Sequence, residues 1–517
     1  MKRRRFLSAI TKGAVVLPAM HPFAAPIVHG NRRKKEQGLT VPGKEGQRDF
    51  FFRPADAWAA DFIPLFSKGE FQLFYLHDFR DEKAHGEGTP WYRISTKNLV
   101  DFTEHGEAIP RGSAEEQDLF IFTGSVLEAN GQYHAFYTGH NPHLQEKGKP
   151  MQCIMHAVSD DLGQWRKFPE QKLFAPEIYE PNDWRDSFVF RNEETNEFNM
   201  LVAARYREGI SRRRGFTARC SSKDLINWKV EGPFYSPGLY FTHECPDLFK
   251  MGDWWYLIFS EFTDLVRTRY RMSRSLNGPW ITPLRDTFDG HAFYAAKTAS
   301  DGHKRYLFGW NPTRDDHSDS GGWNWGGNLV VHELYSEKNG ELAVRLPETV
   351  AAAFRKQVPF TFSKADHVQV NDEKVVISAA GSFGASLAGA MPDRCMIDIK
   401  AVFGKRSRGF GLILRASDDY EKAYYIRLEP ANQRMVFDMW PRKAGEVPYM
   451  AELEREIKLD AGVPVHLQVI VDGTVGVAYV NDQVAMNFRL YDIPAGKWGV
   501  FVQEGEGNFY DMVLSTT

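Results

Sequence analysis

The strongest constraint on the fold is a pattern that recurs five times along the chain. Each copy is a polar turn residue followed by an alternating aromatic strand: GEFQLFY at 69–75, GQYHAFY at 131–137, NEFNMLV at 196–202, GDWWYLI at 252–258 and GHKRYLF at 302–308. The copies start 62, 65, 56 and 50 residues apart. Periods of this length with several strands per copy are typical of a β-propeller, whose blades bury their faces against one another.

A second marker follows the first four copies and supports the same repeat. It is a polar turn closed by an aromatic residue: STKNLVDF at 95–102, SDDLGQW at 159–165, SKDLINW at 222–228 and SRSLNGPW at 273–280. One copy of the second marker follows each of the first four copies of the first, which disfavours the alternative of unrelated hairpins in a β-sandwich. We therefore predict an all-β protein with a five-bladed propeller at 45–343.

Residues 344–358 are interpreted as a linker, and alternation returns after them in segments such as GFGLILRA at 409–416. The Asp472-Gly473 pair between two alternating runs predicts a β-hairpin. Regular short strands in this part predict a C-terminal β-sandwich at 359–517. That domain either binds glycan or braces the propeller.

The N-terminus resembles an export signal. Lys2 and three arginines precede an apolar run from Phe6 to Met20, so 1–30 is predicted to be a twin-arginine-type signal peptide and leader. This pattern predicts a periplasmic or extracellular protein.

Composition excludes several classes of function. The net charge of −3 argues against a nucleic-acid partner, and no later segment is apolar for long enough to span a membrane. The four cysteines lack the spacing of a zinc site or a disulfide framework, so we expect no metal and no cofactor. The sequence carries no signal for oligomeric state.

Three acids keep step with the repeat. Asp61 and Glu244 each lie eight residues before a repeat glycine, and Asp186 lies ten before the third repeat. Innermost strands of neighbouring blades line one axis, so these carboxylates are expected at one end of it. Two carboxylates that flank a sugar are the usual equipment for glycosidic cleavage, and a third can stabilise the positive charge that develops. The pattern predicts a carbohydrate substrate.

Several motifs resemble those of glycoside hydrolase family 32, the β-fructosidases that include invertases, inulinases and levanases. The segments are HECPDLF at 243–249, WRDSFVF at 184–190, FTGS at 122–125, FYAA at 293–296 and LFGW at 307–310. The resemblance covers roughly 50–350, and the family also carries a C-terminal β-sandwich.

This resemblance implies a role for each acid. Asp61 would be the nucleophile, Glu244 the general acid/base and Asp186 the transition-state stabiliser of a retaining double displacement. Arg185 would orient Asp186 or bind a hydroxyl, with a plain ion pair as the alternative. The substrate-binding residues that we expect are Arg185, Phe122, Ser125, His77, Cys245, Tyr294, Trp310 and Trp325.

The chain departs from the family pattern around the nucleophile, where it reads Ala60-Asp61-Phe62, and after Asp186, where it has Ser187. A D-arabinofuranoside or an unusual fructan linkage is therefore an alternative substrate. A fructosyl transferase or a difructose-anhydride-forming transglycosidase would use the same acids. A non-catalytic glycan-binding propeller and an inverting arabinanase-like enzyme complete the alternatives, the latter with its acids farther apart.

Overall fold

The structure, a computed structural model, describes residues 50–371, 374–441 and 453–517. The first blade contains β1 (Trp58–Ser67), β2 (Glu70–Asp78), β3 (Trp91–Thr96) and β4 (Thr103–Ile109), with the short helix α1 (Glu82–His85) between β2 and β3. The second contains β5 (Phe120–Ala129), β6 (Gln132–His140), β7 (Gln152–Ser159) and β8 (Arg166–Lys167), with α2 (His143–Glu146) after β6. Within each blade, sequential strands pair antiparallel.

The next two blades follow the same plan. Blade three contains β9 (Arg185–Asn192), β10 (Glu197–Arg205), β11 (Gly215–Ser222) and β12 (Lys229–Tyr235), with a 3₁₀ helix at Ser211–Arg213. Blade four contains β13 (Glu244–Met251), β14 (Trp254–Glu261) and β15 (Arg267–Ser273). Blade five contains β16 (Tyr294–Ser300), β17 (Arg305–Arg314), β18 (Trp323–Ser336) and β19 (Leu342–Arg345), with a 3₁₀ helix at Asp315–His317.

The blades close into a ring. The innermost strands contact one another in the order β1, β5, β9, β13 and β16, and β16 contacts β1 again. Ala59 on β1 also pairs with Gly327 on β18, so a strand pair joins the last blade to the first. The aromatic residues of the repeat fill the spaces between blades, because each blade is buried on both faces.

The C-terminal strands form one large antiparallel sheet system around a second core. They are β20 (Lys356–Gln357), β21 (Val368–Asn371), β22 (Lys374–Ala390), β23 (Arg394–Phe403), β24 (Gly409–Ala416), β25 (Tyr424–Glu429), β26 (Arg434–Asp438), β27 (Leu453–Glu456), β28 (Val465–Asp472), β29 (Val475–Val480), β30 (Val484–Arg489) and β31 (Lys497–Thr516). The helix α3 (Glu348–Ala351) precedes them, and a 3₁₀ helix spans Pro430–Asn432. The hairpin predicted at Asp472-Gly473 joins β28 to β29.

A buried polar cluster joins this second core to blade five. Asp289, before β16, accepts hydrogen bonds from the backbone nitrogen (2.8 Å) and the side-chain amide (2.6 Å) of Asn487 on β30. His332 Nε2 lies 3.1 Å from Asp289 Oδ2, and His332 Nδ1 lies 2.8 Å from the Tyr479 hydroxyl on β29. These contacts support the bracing role for the C-terminal strands.

The predicted fold class, a five-bladed propeller followed by a β-sandwich, is confirmed. The domain limits 45–343, 344–358 and 359–517 stay predictions, and the predicted leader at 1–30 lies outside the described residues. Within the described part of the chain, no helix is long and apolar enough to cross a membrane.

Candidate active site

Each innermost strand carries a β-bulge near its N-terminal end, so all five bulges lie at the same end of the ring. The first bulged residues, in blade order, are Asp61, Thr123, Asp186, Cys245 and Ala295. Four of them have positive φ angles: 49° for Asp61, 58° for Asp186, 50° for Cys245 and 51° for Ala295. Non-glycine residues rarely adopt this conformation, and such strain is concentrated at functional sites.

The Asp61 carboxylate is half-buried and held at both oxygens by neutral donors. Trp310 Nε1 donates to Asp61 Oδ1 at 2.9 Å, and the Thr123 hydroxyl donates to Asp61 Oδ2. Burial and the neighbouring carboxylates of Asp186 and Glu244 raise the pKa of Asp61 to about 7, although both hydrogen bonds act in the opposite direction. Asp61 is therefore partly protonated near neutral pH.

Asp186 is fixed by groups from two neighbouring blades. Its backbone nitrogen donates to Thr138 Oγ1 at 2.8 Å, and its Oδ2 accepts from the backbone nitrogen of Cys245 at 3.1 Å. Burial and the charge of Glu244 raise the pKa of Asp186 to about 6, and the Arg185 guanidinium opposes this rise.

Glu244 accepts a hydrogen bond at each carboxylate oxygen. Arg185 Nη2 donates to Oε1 at 3.0 Å, and the Tyr294 hydroxyl donates to Oε2 at 2.7 Å. Arg185 Nε also lies 3.8 Å from Asp186 Oδ2, so one guanidinium bridges two of the three acids. The orientation of Glu244 is thus set by residues from blades three and five.

A chain of alternating charges continues outward from Arg185. Arg185 Nη1 donates to Asp183 Oδ1, and Asp183 Oδ2 accepts from Arg205 Nη1 at 2.9 Å. All three side chains are buried. Asp183 and Arg205 were not predicted from the sequence; the available signal was the position of Asp183 two residues before Arg185, at the entry to β9.

Lys297 is a second buried cation that sequence reasoning missed. It lies on β16 two residues after the bulge begins, is 1% exposed, and donates from Nζ to the Pro246 carbonyl at 3.1 Å. Its charge lowers the pKa values of Asp186 and Cys245, against the effect of burial. Lys297 therefore helps to balance the negative charge at this end of the ring.

Other predicted substrate-binding residues lie around the acids. Tyr294 and Trp310 are buried and donate to Glu244 and Asp61. The Trp325 ring centroid is 6.2 Å from that of Trp310, in an edge-on arrangement, and Phe122 stacks on His140 at 4.7 Å. The half-buried rings of Phe122 and Trp325 are the aromatic surfaces beside the bulges.

Three predicted residues make mainly structural contacts. Ser125 Oγ accepts from the backbone nitrogen of Val189 at 2.9 Å, which ties blade two to blade three. His77 stacks on Tyr92 at 3.8 Å, and burial lowers its pKa to about 4. Cys245 is buried, and burial followed by the charge of Asp186 raises the pKa of its thiol.

The structure corrects the predicted register of Glu244. Glu244 pairs with Ser260 just before the bulge, so it is equivalent to Ala60, which pairs with Leu76, and Cys245 is equivalent to Asp61. The reason is the turn: the repeat glycine is the second residue of Lys68-Gly69 but the first residue of Gly252-Asp253. Glu244 therefore lies one position away from the place of Asp61 in its blade.

The arrangement places three carboxylates at one end of a closed ring, with Asp186 and Glu244 buried and Asp61 half-buried. The pKa values of Asp61 and Asp186 are raised, and Arg185 bridges Asp186 and Glu244. Raised carboxyl pKa values beside an opposing charge are typical of acid–base and nucleophilic sites. Within the described ranges, no group of three or more His, Cys, Asp or Glu side chains is arranged to hold a metal ion.

Comparison with known proteins agrees with this geometry. Residues 51–344 match the model of the glycosyl hydrolases family 32 N-terminal domain. The chain belongs to glycosyl hydrolase family 32. The family predicted from the sequence is confirmed, and the chain stands among the glycoside hydrolases.

Individual relatives are distant. A sucrose-6-phosphate hydrolase from Vibrio alginolyticus is 26% identical over 292 residues, covering 52% of this chain and 56% of that protein. A levanbiose-producing levanase from Bacillus subtilis is 28% identical over 264 residues, covering 48% and 45%. The matched segment thus spans about half the length of both relatives. The structure of sucrose-6-phosphate hydrolase from Lactobacillus gasseri shares the fold, with a TM-score of 0.70 at 19% identity over 91% of this chain and 93% of that one.

The predicted periplasmic or extracellular location is wrong. Relatives named as sucrose-6-phosphate hydrolases do not support an exported protein. Their named substrate carries a charged phosphate, which does not cross a lipid bilayer unaided. The basic N-terminal residues on which the prediction rested lie outside the described residues.

Proposed function

We propose that this protein hydrolyses β-fructofuranosidic bonds, in a fructan or in a fructose-containing oligosaccharide, by a retaining double displacement. The main support is the bulged end of the ring, where half-buried Asp61 lies with buried Asp186 and Glu244 and interacts with both electrostatically. The relatives named for sucrose 6-phosphate and for levan support fructose as the transferred sugar.

In this proposal Asp61 is the nucleophile. Its carboxylate is held by the neutral donors Thr123 and Trp310 rather than by a cation, so its negative charge remains available for attack. A pKa of about 7 leaves roughly half of Asp61 ionised at pH 7. Trp310 and Thr123 fix the direction of attack.

Glu244 is the general acid/base. Tyr294 and Arg185 hold its two oxygens in place, so its proton is delivered in one direction. Asp186, anchored on the backbone of Cys245, stabilises the positive charge that develops on the sugar ring. Phe122 and Trp325 provide the apolar surfaces against which the sugars pack.

The proposed reaction has two steps, formation of a covalent glycosyl-enzyme and its hydrolysis. First, an Asp61 oxygen bonds to the anomeric carbon C2 while the C2–O bond to the leaving group breaks, and the leaving oxygen takes the proton of Glu244. Glu244 then removes a proton from water, whose oxygen bonds to C2 as the Asp61 carboxylate departs.

The test is turnover of sucrose, inulin, levan and an aryl β-fructofuranoside by the wild type and by Glu244→Gln. We expect the variant to lose about 10²- to 10⁴-fold on sucrose. It should lose much less in glycosyl transfer from the aryl fructoside, because that leaving group needs little protonation. An equal loss on both substrates, or no turnover by the wild type, would contradict the proposal.

A further inference from the structure

A loop of blade three carries four arginines within eight residues, Arg207 to Arg214. It joins β10 to β11. Ala203 near the end of β10 pairs with Arg185 at the start of β9, so the loop lies at the same end of the ring as the acids. It therefore belongs to the rim around the proposed active site.

Buried side chains connect this loop to Glu244. Arg205 Nη2 donates to the Ser211 carbonyl at 2.8 Å, and Arg205 Nη1 lies 2.9 Å from Asp183. Asp183 in turn pairs with Arg185, whose Nη2 is 3.0 Å from Glu244. The 3₁₀ helix Ser211–Arg213 is thus held in place by the same charges that orient the proposed acid/base.

Two of the four arginine side chains contact other residues of the protein, and the other two are exposed to solvent. Arg207 Nε donates to the Tyr179 carbonyl at 2.9 Å, and Arg214 pairs with Glu180 at 2.9 Å. Arg212 and Arg213 are exposed, and neither has an ion-pair partner among the residues that the structure describes. Glu208 is the single acid of the loop, so the loop keeps an excess of positive charge.

The corresponding loops of the other blades do not share this charge. They join the second and third strands of each blade and read FRDEKAHGEGTP at 79–90, NPHLQEKGKPM at 141–151, FTDLV at 262–266 and DDHSDSGG at 315–322. Lys147 in the blade-two loop is paired with Glu115, and the blade-five loop is acidic. Positive charge on this rim is therefore concentrated above blade three.

We propose that Arg212 and Arg213 form an anion-binding subsite for a substrate whose leaving group carries a phosphate or a carboxylate. This inference rests on the proposed function. Glu244 protonates the leaving oxygen in the proposed mechanism, so the leaving group lies beside Glu244, to which this loop is linked through Arg205, Asp183 and Arg185. The guanidinium fork matches both phosphate and carboxylate oxygens with paired hydrogen bonds.

The test compares three β-fructofuranosides: sucrose, sucrose 6-phosphate, and the analogue whose glucose carries a 6-carboxylate. The proteins are the wild type, the double variant Arg212→Gln/Arg213→Gln, and the control Arg274→Gln. Arg274 is an exposed arginine after β15, at the far end of the ring, where it pairs with Asp253. Steady-state kinetics give kcat and KM for each protein with each substrate.

We expect the wild type to prefer at least one anionic substrate over sucrose. The double variant should raise KM for that substrate about tenfold or more with little change in kcat, and the control should match the wild type. The substrate whose KM rises in the double variant shows whether the subsite binds a phosphate or a carboxylate. Equal KM values for neutral and anionic substrates, or an equal change on all three, would overturn the subsite.

Calorimetric binding of sucrose 6-phosphate and of the carboxylate analogue separates this inference from the proposed function. If the wild type turns over none of the substrates, the proposed function fails on its own. Weaker binding of either anion by the double variant would then still support the subsite. Equal affinity of wild type and double variant for both anions would refute it.

Discussion

Two buried polar clusters of this molecule differ in how their carboxylates are neutralised. At the acid-bearing end of the propeller, burial and the charge of Glu244 raise the pKa values of Asp61 and Asp186. At the join to the C-terminal strands, Asp289 accepts hydrogen bonds from Gly290, Asn487 and His332. In the first cluster the carboxyl pKa values stay raised although Arg185 and Lys297 oppose the rise for Asp186, whereas in the second the carboxylate accepts hydrogen bonds from three residues. This is the difference that we expect between a reactive site and a brace.

The largest expected effect is on activity. Asp61→Asn removes the proposed nucleophile and should lower kcat by at least about 10⁴-fold. The unfolding temperature should stay the same or rise, since the change relieves repulsion in the acid cluster. Turnover of sucrose and thermal unfolding of the same preparation measure both. A variant that keeps more than about a hundredth of the activity would exclude Asp61 as the nucleophile.

The second prediction concerns stability and the Asp289 cluster that braces the propeller. Asp289→Ala leaves several buried donors without an acceptor and should lower the free energy of unfolding by about 3 to 5 kcal/mol. The kcat of the folded protein should be retained. Denaturant unfolding measures the loss, with Asp253→Ala as the control, because Asp253 is an exposed ion-pair partner whose removal costs about 1 kcal/mol or less. If Asp289→Ala were no less stable than that control, the brace would be refuted.

The pH dependence of stability should show the strain in the acid cluster. The folded Asp61 pKa of about 7 lies above its ordinary value of 3.8, so the folded state binds the proton more tightly. This contribution is present at low pH and is lost as pH rises from about 4 to 7, by up to roughly 4 kcal/mol. Asp61→Asn should remove this part of the slope in urea unfolding and leave the smaller part that Asp186 contributes with its pKa of about 6; an unchanged slope would contradict the shift.

The smallest expected effect concerns Thr123. Its hydroxyl favours the ionised form of Asp61, so Thr123→Val should raise the Asp61 pKa and move the acidic limb of kcat/KM to higher pH. Activity at pH 6 should fall about tenfold, and less at pH 8. The control Thr123→Ser keeps the hydroxyl and should keep the profile. If the pH profile of the valine variant were unchanged, the Thr123 hydroxyl would have no effect on the Asp61 pKa.

The sequence predicted the parts of this molecule that repeat. Aromatic alternation with a steady period identified five blades, and the acids were recognisable because each interrupts the apolar start of an innermost strand. The equivalence of Glu244 to Ala60 rather than to Asp61 was not predictable, because the repeat glycine takes a different place in the turn of each blade. Asp183 and Arg205 were missed because Asp183 lies just before β9 and pairs with Arg205 at the far end of the next strand, 22 residues along the chain.

The proposed retaining mechanism has one direct test, the stereochemistry of transfer. Wild-type protein would be given sucrose in the presence of methanol, and the methyl fructoside formed would be identified by NMR before it is hydrolysed. A double displacement through Asp61 predicts methyl β-D-fructofuranoside, with the configuration of the substrate retained. Formation of the α anomer would show a single displacement and contradict the assignment of Asp61 as the nucleophile.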